Sequence, residues 1–462
     1  MLKKKTKPHT GLSIIIVGCG KVGRTLTEQL CKEGHDITLI DQNATMIQEL
    51  TNMYDVMGIV GNGASYSVQK DAGITTTDLI IAVTESDELN LLCCTIATKV
   101  GKCAAIARVR TPDYSKEVGY LREKLGLTMI INPELETAKQ MAHILYMPTA
   151  LDVNSFAHGQ AELIKFKIPS EHFLSGMRIA DLSQTISKNV LICAIQREDD
   201  VHIPSGQFVL ESDDTVSFVA SRKETRKFLN KIGFNTRQVK SSMIVGGGKS
   251  TYYLASLLLK NGISVKIIEN NQKRCEELSI LLPEAIIIHG DGTDQDLLKE
   301  AGITDVESFV PLTGIDEENI MLTLYAKQVS SAKVITKINR SNFASVINEM
   351  DLGSVLYPKY ITSEAIIAYV RARTASRNSN IETLYHMFDS RVEAIEFKIY
   401  ENSSLTEVPL KDLSLKKNLL ICFILRDGNL IIPGGLDCLQ KGDTVMIVTT
   451  HTGFNDLSDI LA

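Results

Sequence analysis

Hydrophobic positions fall along this chain in two alternating styles. Residues 12–17 form a short run, apolar but for Ser13, the pattern of a parallel strand buried on both faces. Val22, Leu26 and Leu30 then recur at every fourth position, which predicts a helix over 21–33, stopped by Gly34. Residues 37–40, 78–83, 104–109 and 126–131 read as further strands, with helices over about 90–100 and 133–145. Strands alternating with helices of this length predict an α/β fold, a doubly wound, Rossmann-like parallel-sheet domain over 12–148. The style then changes. Residues 162–168 and 214–219 alternate polar and apolar side chains around an apolar run at 190–195, which predicts a small α+β domain with an antiparallel sheet over 151–235.

Both styles return in the same order after about 229 residues. Ile15-Ile16-Val17-Gly18-Cys19-Gly20-Lys21 reappears as Met243-Ile244-Val245-Gly246-Gly247-Gly248-Lys249. Gly61-Asn62-Gly63 reappears as Gly290-Asp291-Gly292, and Lys70-Asp71-Ala72-Gly73-Ile74 as Lys299-Glu300-Ala301-Gly302-Ile303. Ile203-Pro204-Ser205-Gly206 matches Ile432-Pro433-Gly434-Gly435, far from the first glycine motif, so the whole two-domain unit is duplicated. The second copy is expected as a Rossmann-like domain at 240–370 and an α+β domain at 375–462. Residues 371–380, rich in Arg, Ser and Asn, read as a surface linker.

Bulk properties narrow the function. The 462 residues suit several domains, and a net charge of −6 gives no overall electrostatic reason to bind nucleic acid. Lys3, Lys4, Lys5 and Lys7 make the one strongly basic run, read as a solvated tail or a weak contact with an anionic surface. No apolar run approaches the roughly 18 residues of a membrane span, and the apolar run after the lysines leads into a glycine motif rather than a cleavage site, so export is not expected. The nine cysteines and nine histidines are dispersed, without metal-ligand spacing, and free thiols in a reducing cytoplasm are expected.

The chemistry concentrates at Gly18-Cys19-Gly20-Lys21-Val22-Gly23, which follows a predicted strand and opens a predicted helix. Gly18 permits the tight turn, Gly20 lets backbone approach a pyrophosphate, and Gly23 allows close helix–strand packing. The helix N-terminus offers unpaired N–H groups to the phosphates. Asp41 ends the second strand 23 residues after Gly18, where a carboxylate accepts hydrogen bonds from ribose hydroxyls and opposes a 2′-phosphate. Asn62 lies in a small polar loop at the same sheet edge, as a site residue or a turn residue. Arg108 and Arg110, two residues apart and so on one face, offer a phosphate ligand or a surface cation.

The second copy keeps Gly246 and Gly248 but has Thr251 at the third glycine, where a β-branched side chain is expected to push helix from strand unless the turn relaxes. Glu269 replaces the strand-end carboxylate, Asp291 stands where the first copy has Asn62, and Lys337 and Arg340 roughly mirror the basic positions. The run Gly246 to Thr251 is not a phosphate-binding Walker loop, because its first required glycine falls on Met243.

Two readings of function follow, a soluble NAD-dependent oxidoreductase and a nucleotide-sensing switch. His143 and His158 are the candidate proton donors for the first, but neither is paired with an acidic residue or a lysine in a recognisable arrangement, and His143 reads as a packing histidine. Duplication favours a switch, since coupled ligand sites serve a sensor. The glycine motif, Asp41, Gly61-Asn62-Gly63-Ala64-Ser65 and Ile106-Ala107-Arg108-Val109-Arg110 resemble the conductance-regulating (RCK, or KTN) domains of the TrkA family, and the resemblance covers nearly the whole chain. It implies a non-enzymatic regulator, peripheral on the cytoplasmic face of the cell membrane, that binds NAD(H) and also ATP or ADP. It further implies a homo-oligomeric ring, usually a tetramer, on a TrkH- or TrkG-type potassium-translocating subunit. By that resemblance Gly18, Gly20, Gly23, Asp41 and Arg108 belong to the first nucleotide site, and Gly246, Gly248, Glu269 and Asp291 match it in the second.

Overall fold

The structure, a computed structural model, describes residues 11–187, 189–234, 236–340, 344–374, 379–388 and 390–462. The basic run Lys3, Lys4, Lys5 and Lys7 lies outside the described residues. The chain forms two compact units, one ending at Glu136 and taking in Pro358–Val370, the other Thr137–Tyr357 with Arg371–Ala462.

Six strands carry the first glycine motif: β1 (Ser13–Val17), β2 (Asp36–Asp41), β3 (Met57–Val60), β4 (Leu79–Ala82), β5 (Ala104–Arg108) and β6 (Met129–Ile131). They are parallel in the order β3-β2-β1-β4-β5-β6. β1 from Ile14 onward and the whole of β4 are buried on both faces, which is why those residues are all apolar. The strand order reverses between β1 and β4, so connections leave their carboxyl ends in opposite directions and open a crevice there.

In the second unit, β7 (Asp152–Phe156), β8 (Ala161–Lys167), β9 (Val190–Arg197), β10 (Asp200–His202) and β11 (Thr215–Ser221) form an antiparallel sheet in the order β10-β9-β11-β8-β7. The parallel sheet returns with β12 (Ser241–Val245), β13 (Ser264–Glu269), β14 (Ile286–His289), β15 (Ser308–Pro311), β16 (Lys333–Lys337) and β17 (Ser354–Leu356), in the order β14-β13-β12-β15-β16-β17. A last antiparallel sheet of β18 (Ser379–Met387), β19 (Val392–Ile399), β20 (Leu419–Arg426), β21 (Asn429–Ile431) and β22 (Thr444–Thr449) runs β18-β19-β22-β20-β21. The two doubly wound sheets and two small antiparallel sheets expected from the sequence are therefore all present.

The two antiparallel sheets share one hydrophobic core. It takes Phe156, Ala161, Leu163, Cys193, Ala194 and Val219 from the first sheet and Met387, Val392, Ala394, Cys422, Phe423 and Val448 from the second, which are matching positions of the duplicated unit. Burial, with Cys193 beside it, pushes the Cys422 thiol well above its ordinary range, so this centre is chemically quiet.

The described part of 371–380 is not the surface linker that its composition suggests. Arg371 to Thr374 complete the helix Pro358–Thr374, and Ser379 opens β18; 375–378 lie outside the described residues. Arg371 is buried and donates two hydrogen bonds of 3.0 Å to the buried Glu393, an ion pair that composition alone does not announce.

Candidate nucleotide site

β1 delivers the chain into Gly18, whose φ of +101° is a conformation that side chains rarely adopt. Gly20 is exposed, and a Cβ there would meet nothing within 4 Å, so backbone is open to a ligand. Gly23 is the packing glycine: its Cβ would stand 1.9 Å from the Gly18 carbonyl oxygen. The helix Lys21–Lys32 starts with no side-chain cap, unlike the helices capped by Asn43 and Ser86, so its first N–H groups remain available to an anion. These features fit a pyrophosphate cradle.

Asp41 closes the turn from the other side. Its Oδ2 accepts the Cys19 N–H at 2.6 Å and its Oδ1 accepts the Asn43 N–H at 2.8 Å. The carboxylate is thus fixed at the end of β2 with lone pairs left for ribose hydroxyls. Cys19 is buried, and burial together with the Asp41 charge pushes its thiol up to about 12, which makes it packing rather than a nucleophile. Lys21 is exposed at the helix start, and Val22 is buried.

Asn62 is a turn residue in the first instance: its Oδ1 accepts the Ala64 N–H at 3.0 Å. Arg108 and Arg110 part company. Arg108 reaches back along the sheet edge to donate to the Thr84 carbonyl at 2.5 Å, its Nε buried without a hydrogen-bond partner, and burial followed by the nearby Arg110 lowers its pKa. Arg110 is held by the charges of Asp87 at 3.7 Å and Glu134 at 3.8 Å. Being two residues apart does not give them a shared role, because β5 ends at Arg108.

The second copy reproduces this geometry. Gly246 has φ of +98°, Gly248 starts the helix Lys249–Lys260 without a side-chain cap, and Glu269 accepts the Gly247 N–H at 2.6 Å and the Asn271 N–H at 2.7 Å. Asp291 accepts the Thr293 N–H and hydroxyl at 2.8 Å each, and these bonds lower its pKa. Thr251 does not drive the helix away. Its hydroxyl donates to the Gly246 carbonyl at 2.5 Å, turning the clash that a methyl would make into a hydrogen bond. The extra methylene of Glu269 relative to Asp41 also has a counterpart: Gly247 stands where Cys19 does, and a Cβ there would meet Glu269 Oε2 at 2.8 Å. Lys337 Nζ points to the Leu312 carbonyl at 3.4 Å, whereas Arg340 pairs with Asp316 and Glu317.

The sequence reading missed the clamp that fixes this edge. Asn90 is fully buried; its Oδ1 accepts the Thr84 N–H and hydroxyl, and its Nδ2 donates to the Thr84 and Arg108 carbonyls. Asn319 does the same for Thr313 and Lys337. Asp87 and Asp316 accept backbone N–H groups of Arg110 and Thr111, and of Asn339 and Arg340. A signal existed: Thr84-x-x-Asp87-Glu88-x-Asn90 recurs as Thr313-x-x-Asp316-Glu317-x-Asn319.

His143 lies beside Tyr146 on the helix Pro133–Tyr146, and His158 is exposed in the turn Ala157–Gly159; neither belongs to a glycine turn or its strand ends.

The glycine turn, strand-end carboxylate and open helix start, built twice and each followed by an antiparallel sheet domain, define a duplicated Rossmann-type protein with a candidate nucleotide site in each copy. Residues 14–133 and 242–358 match the TrkA-N domain family, and 163–233 and 394–462 match the TrkA-C domain family. The chain belongs to the TrkA family. It is 30% identical over 439 residues to the Trk system potassium uptake protein TrkA of Halomonas elongata, covering 94% of this chain and 95% of that one. It is 31% identical over 449 residues to a TrkA homolog of Archaeoglobus fulgidus, covering 97% and 100%. Among solved structures, the GsuK channel bound to NAD shares the fold at a TM-score of 0.63 and 16% identity, covering 96% of this chain and 78% of that one.

Proposed function

We propose that this chain is the nucleotide-sensing regulatory subunit of a Trk-type potassium uptake system. The observation that carries the reading is the carboxylate of Asp41, fixed by the Cys19 amide at the mouth of an open glycine turn, and its repetition by Glu269 and Gly247. NAD(H), or ATP or ADP, would place its pyrophosphate on Gly18, Gly20 and the N-terminus of the helix Lys21–Lys32, with its adenosine ribose on Asp41. Cys19, Lys21, Val22 and Gly23 shape the turn, while Asn62 and Arg108 border it. Gly246, Gly248, Glu269 and Asp291 form the second site. The four domains then run 12–148, 151–235, 240–370 and 375–462. Partners would be a TrkH- or TrkG-type membrane subunit and further copies of the chain, four to a ring, on the cytoplasmic face. Nucleotide gates such an assembly only through a difference in affinity between its conformations.

Calorimetric titration with NADH, NAD, ATP and ADP tests the reading. Saturable binding is expected, weakened about tenfold or more by Asp41→Ala as its ribose hydrogen bonds are lost. Binding of none of the four, or substrate-dependent NADH oxidation by the purified chain, would overturn it.

A further inference from the structure

The two glycine turns differ in one respect that neither the repeat nor the family match assigns. In the second copy Arg274, on the first turn of the helix Gln272–Leu281, donates from Nε to the Gly247 carbonyl at 2.7 Å. The same guanidinium donates from Nη1 to Glu277 at 2.9 Å. The first copy has Met46 at this position, on the helix Ala44–Met53. Both helices begin just beyond the strand-end carboxylate, and in a doubly wound fold the adenosine half of a nucleotide lies on that side of the glycine turn.

Resting on the nucleotide-sensing reading above, we propose that Arg274 is the base platform of the second copy. Its guanidinium plane, pinned at one edge by Gly247 and Glu277, would present its face to the adenine ring. A grip on a ribose phosphate fits the site less well. Two corners of the guanidinium are already committed, one to the Glu277 carboxylate, and the carboxylate of Glu269 sits on the amide of the same Gly247, so a further anion meets negative charge already in place. Stacking needs only the face, and a planar cation on a π system is a favourable pairing. Side-chain exposure of 27% leaves that face reachable. Met46 offers the first copy a softer apolar surface in the same place, so the copies recognise the base by different chemistry.

The test uses the full chain carrying Asp41→Ala, so that calorimetry with ADP reports the second copy. Heat that persists there and vanishes on adding Glu269→Ala belongs to the second site. Arg274→Ala and Arg274→Lys are then each expected to weaken ADP about five- to tenfold, with UDP changing by less than about twofold, since the smaller pyrimidine stacks less. Lysine keeps the charge but has no plane. Full affinity in Arg274→Lys would overturn the inference in favour of a charge effect. Equal losses of ADP and UDP would overturn it in favour of a role in holding the turn. If binding persists but is indifferent to Arg274, the inference alone falls. If no heat persists in the Asp41→Ala chain, nucleotide sensing by the second copy falls with it, while the first site stands on its own titration.

Discussion

At the third glycine position, the two copies solve one steric problem in two ways. Gly23 leaves no room, with a notional Cβ 1.9 Å from the Gly18 oxygen, whereas Thr251 places a hydroxyl on the corresponding oxygen at 2.5 Å. Gly23→Ala is therefore expected to destabilise by about 1–3 kcal/mol, because it overpacks without offering a donor. Thr251→Val, nearly isosteric, should cost about 1–2 kcal/mol by leaving the Gly246 carbonyl against a methyl. Urea unfolding monitored for each variant checks both figures, and a neutral Thr251→Val would remove the hydroxyl's assigned role. Asn90 holds a different kind of constraint. It is fully buried and serves Thr84 and Arg108 at once, so Asn90→Ala strands several backbone groups and should cost about 2–3 kcal/mol. Because Arg108 is positioned by that clamp, nucleotide affinity should fall with it, which calorimetry on the still-folded fraction would show.

At the scale of elements, the sequence was most legible where burial is simplest. β1 from Ile14 onward and the whole of β4 are apolar on both faces, and the helix Lys21–Lys32 shows its buried Val22, Leu26 and Leu30 at helical spacing. Asp41 and the glycine turn were legible because their chemistry is local in sequence. What stayed hidden was long-range pairing. Arg371 looked like linker because nothing near it in sequence names Glu393, 22 residues on, as its buried partner. Burial acts to raise the Glu393 pKa, but hydrogen bonds from His386 and Arg371 outweigh it and leave it lowered. Its stabilising contribution is thus present above the ordinary value of 4.5 and is lost as pH falls through the lower folded value. Arg371→Met should cost about 3–5 kcal/mol by leaving that carboxylate without its cation, and the double variant with Glu393→Gln should recover much of the loss. Thermal unfolding near neutral pH measures the loss. A flatter acid limb in Glu393→Gln than in the wild-type chain would confirm the sign.

Across the whole chain, duplication has produced an internal pair. The two antiparallel sheets meet through matching positions, as two subunits do across a twofold interface, so one chain holds both halves of what would otherwise be a dimer core. Polar links reinforce it: Tyr385 donates to Asp152, and the Ala157 N–H donates to Glu396 at 2.7 Å. Lys333 on β16 adds a link of another kind, donating to the Ala150 carbonyl at 2.6 Å, with burial first and Lys327 second lowering its pKa to about 8. Its folded pKa lies below the ordinary 10.5, so the fold carries the burden of a buried charge below about pH 8 and sheds it as pH rises from 8 to 10.5. A ligand-induced shift in one sheet domain would reach the other through the shared core, provided the pair behaves as one cooperative body. Phe423→Ala tests that condition. Phe423 is fully buried in β20, and its truncation should cost about 3–5 kcal/mol. If the core is common property, amide hydrogen exchange should quicken in β8 and β9 of the first sheet as well as in β20 and β22. Quickening confined to β20 and β22 would mean that the sheets open separately, and the pair could then transmit no signal between the two halves of the chain.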